Sequence, residues 1–394
     1  MIKRKIAVVI GSRANYASIK SALKEIVKQS DTLELLLFVG AAALLDKYGK
    51  VADLVAKDGF RITERFYMLV EGEIPETMAM SVGVGLLELP TILANHKPDV
   101  VITIGDRFET LSTAISTVFM NIHLAHTMGG EVTGTIDESV RHAVTKLAHL
   151  HFAANEDARE RIIRMGEAPE FVFNTGCPRI DEVKRLIQEH RASPKMGSNF
   201  FKQYKGVGPE LEIKDSQFLI VMQHPVTTEY GQNREHMGNI LGALKELAMP
   251  TILIWPNADA GSDEISKEIR TFREKENPQW LHAFTNLPFD VFIPLMDMAG
   301  CIVGNSSSPV REGAIIGVPA VNIGTREQGR MRGQNVLDVG YSKEEILAGI
   351  KKQLQHGKYQ ASYIYGDGTA GQKIVKILQE IDLAKVPIQK QINY

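Results

Sequence analysis

A ten-residue stretch, Gly304-Asn305-Ser306-Ser307-Ser308-Pro309-Val310-Arg311-Glu312-Gly313, lies between the apolar runs Cys301-Ile302-Val303 and Ala314-Ile315-Ile316. It reads as strand, tight turn and helix. Three hydroxyls at a helix start, beside the unpaired N–H groups of the first turn, make a seat for a diphosphate. Glu312, a little further along, can accept hydrogen bonds from both hydroxyls of a ribose. A Ser N-cap followed by a solvated first-turn acid is the plainer alternative, and capping preferences suit it equally.

Other polar groups stand directly after short apolar runs. Residues 6–10 are followed by Gly11-Ser12-Arg13, residues 100–104 by Gly105-Asp106-Arg107, and Leu124-Ala125 by His126-Thr127-Met128-Gly129-Gly130-Glu131. Residues 218–222 lead into Gln223-His224-Pro225, and residues 251–254 into Trp255-Pro256-Asn257. Turn or cap chemistry accounts for any one of these alone. As a set, they deliver arginines, carboxylates and a histidine to strand ends. Arg13 and Arg326 are placed to clamp a phosphate or a base, with solvated surface arginines as the alternative. Asp137 opens a helical run over 137–149 with Arg141 one turn later. A carboxylate there stays ionised and suits charge placement or base work, or is simply a first-turn acid paired with Arg141. Asp106 reads as a site acid or a helix cap. His224, before Pro225, can donate to a phosphate, carry a proton or shape its loop.

Several chemistries lack their motifs. There is no G-x-x-x-x-G-K-[ST] loop, no nucleophile elbow and no H-E-x-x-H, and the first turn, Gly11-Ser12-Arg13-Ala14-Asn15, lacks the later glycines of the dinucleotide fingerprint. Forty-five basic against 47 acidic residues leave a formal charge of -2, so neither nucleic acid nor an anionic membrane is an expected partner. Cys177 and Cys301 have no disulfide-framework or metal spacing, which fits a reducing cytoplasm and no metal. The basic start, Met1 to Lys5, precedes an apolar run of residues 6–10 that is too short for a signal peptide or a membrane span.

The elements that must carry these residues alternate. Short β-branched runs at 6–10, 33–39 and 100–104 precede helical patterns at 18–29, 41–57 and 109–119. The second half repeats this with strands at 218–222, 251–254 and 301–303 and helices at 234–247, 263–274 and 311–316. Alternation of this kind marks parallel sheets covered by helices, and 394 residues suit about two domains. The stretch 190–217 is rich in Gly, Lys, Pro and Ser with weak periodicity. The expectation is therefore an α/β protein of two doubly wound Rossmann-like domains facing a cleft. Their bounds are 1–189, completed by a C-terminal helix in 371–394, and 190–370.

At this point the motifs resemble a family. Gly105-Asp106-Arg107-Phe108-Glu109, the segment 129–142 from Gly129-Gly130-Glu131 to Arg141-His142, His224-Pro225-Val226-Thr227-Thr228-Glu229, Trp255-Pro256-Asn257 and the stretch 304–313 together resemble the hydrolysing UDP-N-acetylglucosamine 2-epimerases. The likeness runs from Arg13 to the tail motif Tyr365-Gly366-Asp367-Gly368. It implies glycosyltransferase-B architecture with UDP held mainly by the C-terminal domain. It also implies release of UDP and N-acetylmannosamine for sialic-acid-type biosynthesis, no cofactor, and a homodimer or homotetramer. Carried over by motif, Ser306 and Ser307 hold the diphosphate, Glu312 the ribose and Phe292 the uracil. Arg13, Arg326 and Asn257 complete the nucleotide-sugar contacts. Asp106, Glu131 and Asp137 are the acid/base carboxylates, with Arg107, Arg141 and His224 supporting them.

The implied chemistry is physically reasonable. The C2 hydrogen of the sugar is not next to a carbonyl, so direct deprotonation is too hard. Elimination of UDP across C1–C2 gives a 2-acetamidoglucal, and water then adds with the opposite C2 configuration. This needs a base near C2, stabilisation of the departing diphosphate and an acid/base pair. Three departures from the family pattern stand out: Met128 and Asn15 where acids are common, and Pro309 where glycine is usual. They leave open a 2,4-diacetamido-2,4,6-trideoxyglucose substrate of the legionaminic acid route. A UDP-sugar glycosyltransferase, a non-hydrolysing epimerase and a UDP-sugar-binding regulatory module are the rival readings.

Overall fold

The computed structural model describes residues 3–46, 49–71, 75–132, 136–192, 200–204, 206–226, 229, 231–256 and 261–391. The chain divides into two compact units, residues 1–182 with 365–394, and residues 183–364.

The first unit runs β1 (Arg4–Ile10), α1 (Arg13–Ala17), α2 (Lys20–Lys28), β2 (Leu33–Gly40), α3 (Val51–Lys57), β3 (Glu64–Phe66), α4 (Pro75–His96), β4 (Val100–Ile104) and α5 (Phe108–Phe119). It continues with β5 (His123–Thr127), α6 (Ile136–Leu147), β6 (Leu150–Ala153), α7 (Glu156–Arg164), β7 (Val172–Asn174) and α8 (Pro178–Ala192). Its sheet is parallel, in the order β3-β2-β1-β4-β5-β6-β7. β1 and β4 are buried along nearly their whole length, as expected of strands covered on both faces.

The second unit runs α9 (Phe200–Gln203), β8 (Gly206–Val207), β9 (Leu219–Met222), α10 (Asn233–Leu247), β10 (Thr251–Ile254), α11 (Ser262–Glu276), β11 (Leu281–Phe284) and α12 (Phe289–Met298). There follow β12 (Cys301–Gly304), α13 (Ser308–Ile316), β13 (Ala320–Ile323), β14 (Val336–Val339) and α14 (Lys343–His356). The order is β14-β13-β12-β9-β10-β11-β8, parallel except for the short edge strand β8. A last helix, α15 (Ala370–Glu380), returns to the first unit and packs on α2. Both sheets reverse their winding once, between β1 and β4 and between β9 and β12. Ligands of open α/β sheets bind beyond the carboxyl ends of the strands at such switch points.

The unit boundaries fall earlier than the sequence suggested, at 182/183 and 364/365 rather than 189/190 and 370/371. Side-chain burial explains the first shift. Val183, Leu186 and Ile187, midway along α8, join the core of the second unit with Phe218 and Ile220. The second shift lies where the tail motif crosses residue 176. Gly176 (φ 81) and Gly366 (φ 113) approach so closely that a Cβ on Gly176 would stand 2.8 Å from the Gly366 Cα, and Cys177 N–H donates to the Tyr365 carbonyl. The helix expected over 41–57 is broken into a 3-10 turn, Ala41–Leu44, and α3, with Gly49 and Lys50 at positive φ between them. α4 was not anticipated. By length and composition alone it is long and apolar enough to cross a membrane; it packs along α5 and sends Leu89 and Leu93 into the core.

Candidate functional site

In the first unit, the β1 and β4 turns are joined by buried Asn15. Its Oδ1 accepts from the Gly11 N–H (3.1 Å) and its Nδ2 donates to the Ile104 carbonyl (2.8 Å). A carboxylate can make only the first of these bonds, so the amide has a structural reason to stand where an acid is common. Arg13, the first residue of α1, is exposed.

The β4 turn is held from below by His126, a residue the sequence reading did not single out for the site. Its Nε2 lies 2.7 Å from the Gly105 carbonyl and its Nδ1 3.2 Å from the Thr145 hydroxyl. A carbonyl only accepts, so Nε2 carries the proton and Nδ1 accepts from Thr145. Burial keeps the ring neutral, with its pKa pushed down to about 3. α5 begins at Phe108 with Arg107 in the N-cap position, so Asp106 is not that helix's cap.

Asp106 instead faces Arg141. The guanidinium is 1% exposed, donates to the Asp106 carboxylate through Nη2, and reaches the Glu131 carbonyl at 2.7 Å through Nη1. Arg161 donates to the neighbouring Gly130 carbonyl. Arg141 therefore does more than its one-turn spacing from Asp137 implied, because it ties the loop after β5 to the turn after β4. Glu131 is buried, Asp137 is half-buried on the first turn of α6, and the Arg107 side chain is 49% exposed. Met128, in the left-handed region (φ 63), turns its side chain onto the core cluster that holds Ile104 and Phe152. It is a packing residue.

The second unit builds its switch point in a comparable way. Gly304 has φ 130, and a Cβ there would collide with the Met222 carbonyl, so only glycine brings the ends of β12 and β9 this close. Fully buried Asn305 then clamps the β9 turn: its Oδ1 accepts from the His224 N–H (2.7 Å) and its Nδ2 donates to the His224 carbonyl (2.8 Å). Arg326 Nη1 donates to the Asn305 carbonyl (3.1 Å) and to the buried Glu327 carboxylate (3.0 Å). His224 and Arg326 are thus brought to one turn, with Ser306 and Ser307.

The anion seat differs from the expectation in detail. α13 starts at Ser308, three residues earlier than the helix expected from 311. Pro309 suits a first turn because it lacks an N–H there, and the Ser306 hydroxyl accepts from the Ser308 N–H (3.3 Å). Fewer backbone donors are left for a phosphate than three serines suggested, while Ser307, in the N-cap position, makes no side-chain cap bond. Glu312 is 2% exposed, which removes the solvated-acid alternative. Phe292 is half-buried on α12 against the core. Asn257 lies outside the described residues.

Two doubly wound units, each with polar residues at its switch point, define an α/β protein whose ligands are expected beyond the carboxyl ends of its strands. The sequence profile of the UDP-N-acetylglucosamine 2-epimerase family matches residues 25–379. A UDP-N,N'-diacetylbacillosamine 2-epimerase (hydrolyzing) from Legionella pneumophila is 32% identical over 380 residues, covering 96% of this chain and 97% of the relative. A UDP-N-acetylglucosamine 2-epimerase from Neisseria meningitidis is 28% identical over 391 residues, with 98% of both chains covered. The chain belongs to the UDP-N-acetylglucosamine 2-epimerase family. A solved structure of UDP-GlcNAc 2-epimerase from Neisseria meningitidis bound to UDP-GlcNAc superposes with a TM-score of 0.77 at 16% identity, covering 96% of this chain and 100% of that one. That likeness supports the glycosyltransferase-B-like fold.

Proposed function

We propose that this chain is a hydrolysing 2-epimerase that converts a UDP-2-acetamido sugar into UDP and the C2-inverted free sugar, with UDP-N-acetylglucosamine as the first substrate to test. The observation that carries the reading is the Asp106–Arg141–Glu131 cluster. One buried guanidinium pairs with the Asp106 carboxylate and holds the Glu131 backbone carbonyl, and Asp137 lies on the first turn of α6, the helix that carries this arginine. In this reading one of these carboxylates takes the C2 proton as the bond from C1 to the diphosphate breaks. Ser307, the first turn of α13, His224 and Arg326 stabilise the departing charge; Ser306 shapes that turn, and Glu312 and Phe292 engage ribose and uracil. Arg13, Arg107 and Asn257 make further contacts to the substrate. Water then adds to the glucal, its oxygen to C1 and a proton to C2 from the opposite face.

A second reading keeps this chemistry and changes the sugar to UDP-2,4-diacetamido-2,4,6-trideoxyglucose. The Legionella relative's name favours it. A cytoplasmic homodimer or homotetramer completes the proposal. Turnover of both UDP-sugars, followed by phosphorus and proton NMR, tests it. Free UDP with a C2-inverted sugar supports hydrolytic epimerisation, and a C2-inverted UDP-sugar without UDP supports the non-hydrolysing reaction.

A further inference from the structure

Glu109 was quoted only as part of a motif, yet its surroundings are unusual. It is the second residue of α5, directly after the Asp106 turn at the switch point of the first sheet. Its side chain is 6% exposed, and neither carboxyl oxygen has a hydrogen-bond partner. Buried carboxylates are ordinarily hydrogen-bonded or paired. Among the described residues Arg107 is paired with it, its Nε standing 3.4 Å from Oε1 on a side chain 49% exposed to water. From the other side the β1 turn closes over the group. A Cβ on Gly11 would lie 2.9 Å from Glu109 Oε1, so the backbone of that turn encloses the carboxyl, while the turn's charged side chain, Arg13, runs towards Gly49, where a Cβ would meet its Nη1 at 3.9 Å. Asp106 on its own connection and Asp137 on α6 add negative potential. Burial first, and these two acids after it, push the Glu109 carboxyl above its usual range against the pull of Arg107.

We infer that Glu109 is a proton-holding, positioning residue of the strand-end site, a neutral carboxylic acid that lends a neighbouring carboxylate the proton which that group delivers to the sugar. The inference rests on the hydrolytic reading above. The glucal left by elimination carries a C1=C2 double bond. The Glu109 O–H lends its proton to whichever of Asp106 and Asp137 did not take the C2 proton, and that group passes it to C2 while the oxygen of water bonds to C1; the proton shed by the water returns to Glu109. The C2 proton taken in the elimination goes to solvent from the carboxylate that took it, its charge balanced by the departing UDP, so one water has been added across C1–C2 and every carboxyl group is back in its starting state.

The test uses the full chain and the variants Glu109→Gln and Glu109→Asp. A glutamine matches the shape of a neutral carboxyl but cannot pass a proton. Glu109→Gln should keep KM within a few-fold, lose about 100-fold in kcat, as is typical for a lost acid/base group, and lose one ionisation from its pH–rate profile. Glu109→Asp should recover part of that loss. Infrared spectra of the wild type near neutral pH should contain the C=O stretch of a protonated carboxyl that Glu109→Gln lacks. A Glu109→Gln enzyme turning over like wild type overturns the inference, as does absence of that band. Should the variant fail to fold, the wild-type infrared spectrum, taken across pH, still decides. Absence of UDP release by the wild type would count against the proposed reaction, and the infrared band would still report whether Glu109 is neutral.

Discussion

Asn305 offers a sharp test of how the second switch point is assembled. Its side chain is fully buried and makes two bonds to a single residue, at 2.7 Å from the His224 N–H and 2.8 Å to the His224 carbonyl. Asn305→Ala removes both and leaves two backbone groups without partners. A buried orphan costs about 1–3 kcal/mol. His224 is only half-buried, so water can reach part of the gap and the lower end applies, giving roughly 2–3 kcal/mol in all. The Arg326 bond goes to the Asn305 backbone carbonyl and survives the change. Asn305→Asp separates the two bonds. The carboxylate still accepts from the His224 N–H but opposes the His224 carbonyl, so at neutral pH it should be the worse variant. Burial raises that new acid's pKa above its unfolded value, so the penalty is present at neutral pH and shrinks as pH falls through the raised value, where the protonated form can donate. Both tryptophans, Trp255 and Trp280, lie in the second unit, so urea unfolding followed by tryptophan fluorescence reads this unit alone. Loss of less than about 0.5 kcal/mol in Asn305→Ala, or a pH-independent gap for Asn305→Asp, would refute the clamp.

Other outcomes follow from the first unit. Arg141→Lys should remove most turnover while Arg141→Met removes all of it, since one ammonium cannot replace the two-pronged contact to Asp106 and the Glu131 carbonyl; both are measured as UDP release. Asn15→Asp should destabilise the first unit by about 1–3 kcal/mol by orphaning the buried Ile104 carbonyl, measured by far-ultraviolet circular dichroism in urea. Glu167 gives the acid limb. Burial works to raise its carboxyl, but donors from His151 (3.1 Å), Lys146 (2.6 Å) and Lys390 (2.6 Å) bring it down to about 2. A depressed folded value means the stabilisation is complete above the unfolded value of about 4.3 and is lost as pH falls toward 2. Glu167→Gln should flatten that part of the stability curve, and an unchanged slope would remove the assignment.

The alternation of apolar runs with helical patterns was enough to show two doubly wound halves, because strands buried on both faces leave short β-branched runs that little else produces. The same reasoning located Asp106, Glu131, His224 and Ser306, which all follow strand ends. It did not show what holds them. Asn305, Asn15 and His126 each act by bonding backbone groups far away in sequence, and no local spacing encodes such partners. Glu109 was obscured for a related reason, since a glutamate in the first turn of a helix is ordinarily a solvated cap companion. Its burial and the closeness of Gly11 in the folded chain show it to be enclosed. The unit boundary moved because α8 is continuous through it, and helical periodicity carries no mark of which core a given turn joins.

The most direct test of the central claim is turnover of UDP-N-acetylglucosamine and of UDP-2,4-diacetamido-2,4,6-trideoxyglucose in D₂O, read by phosphorus and proton NMR. The account predicts free UDP together with a C2-inverted free sugar carrying deuterium at C2 from at least one of the two. Release of a sugar that keeps its C2 hydrogen and configuration, or a C2-inverted UDP-sugar without UDP, would contradict it.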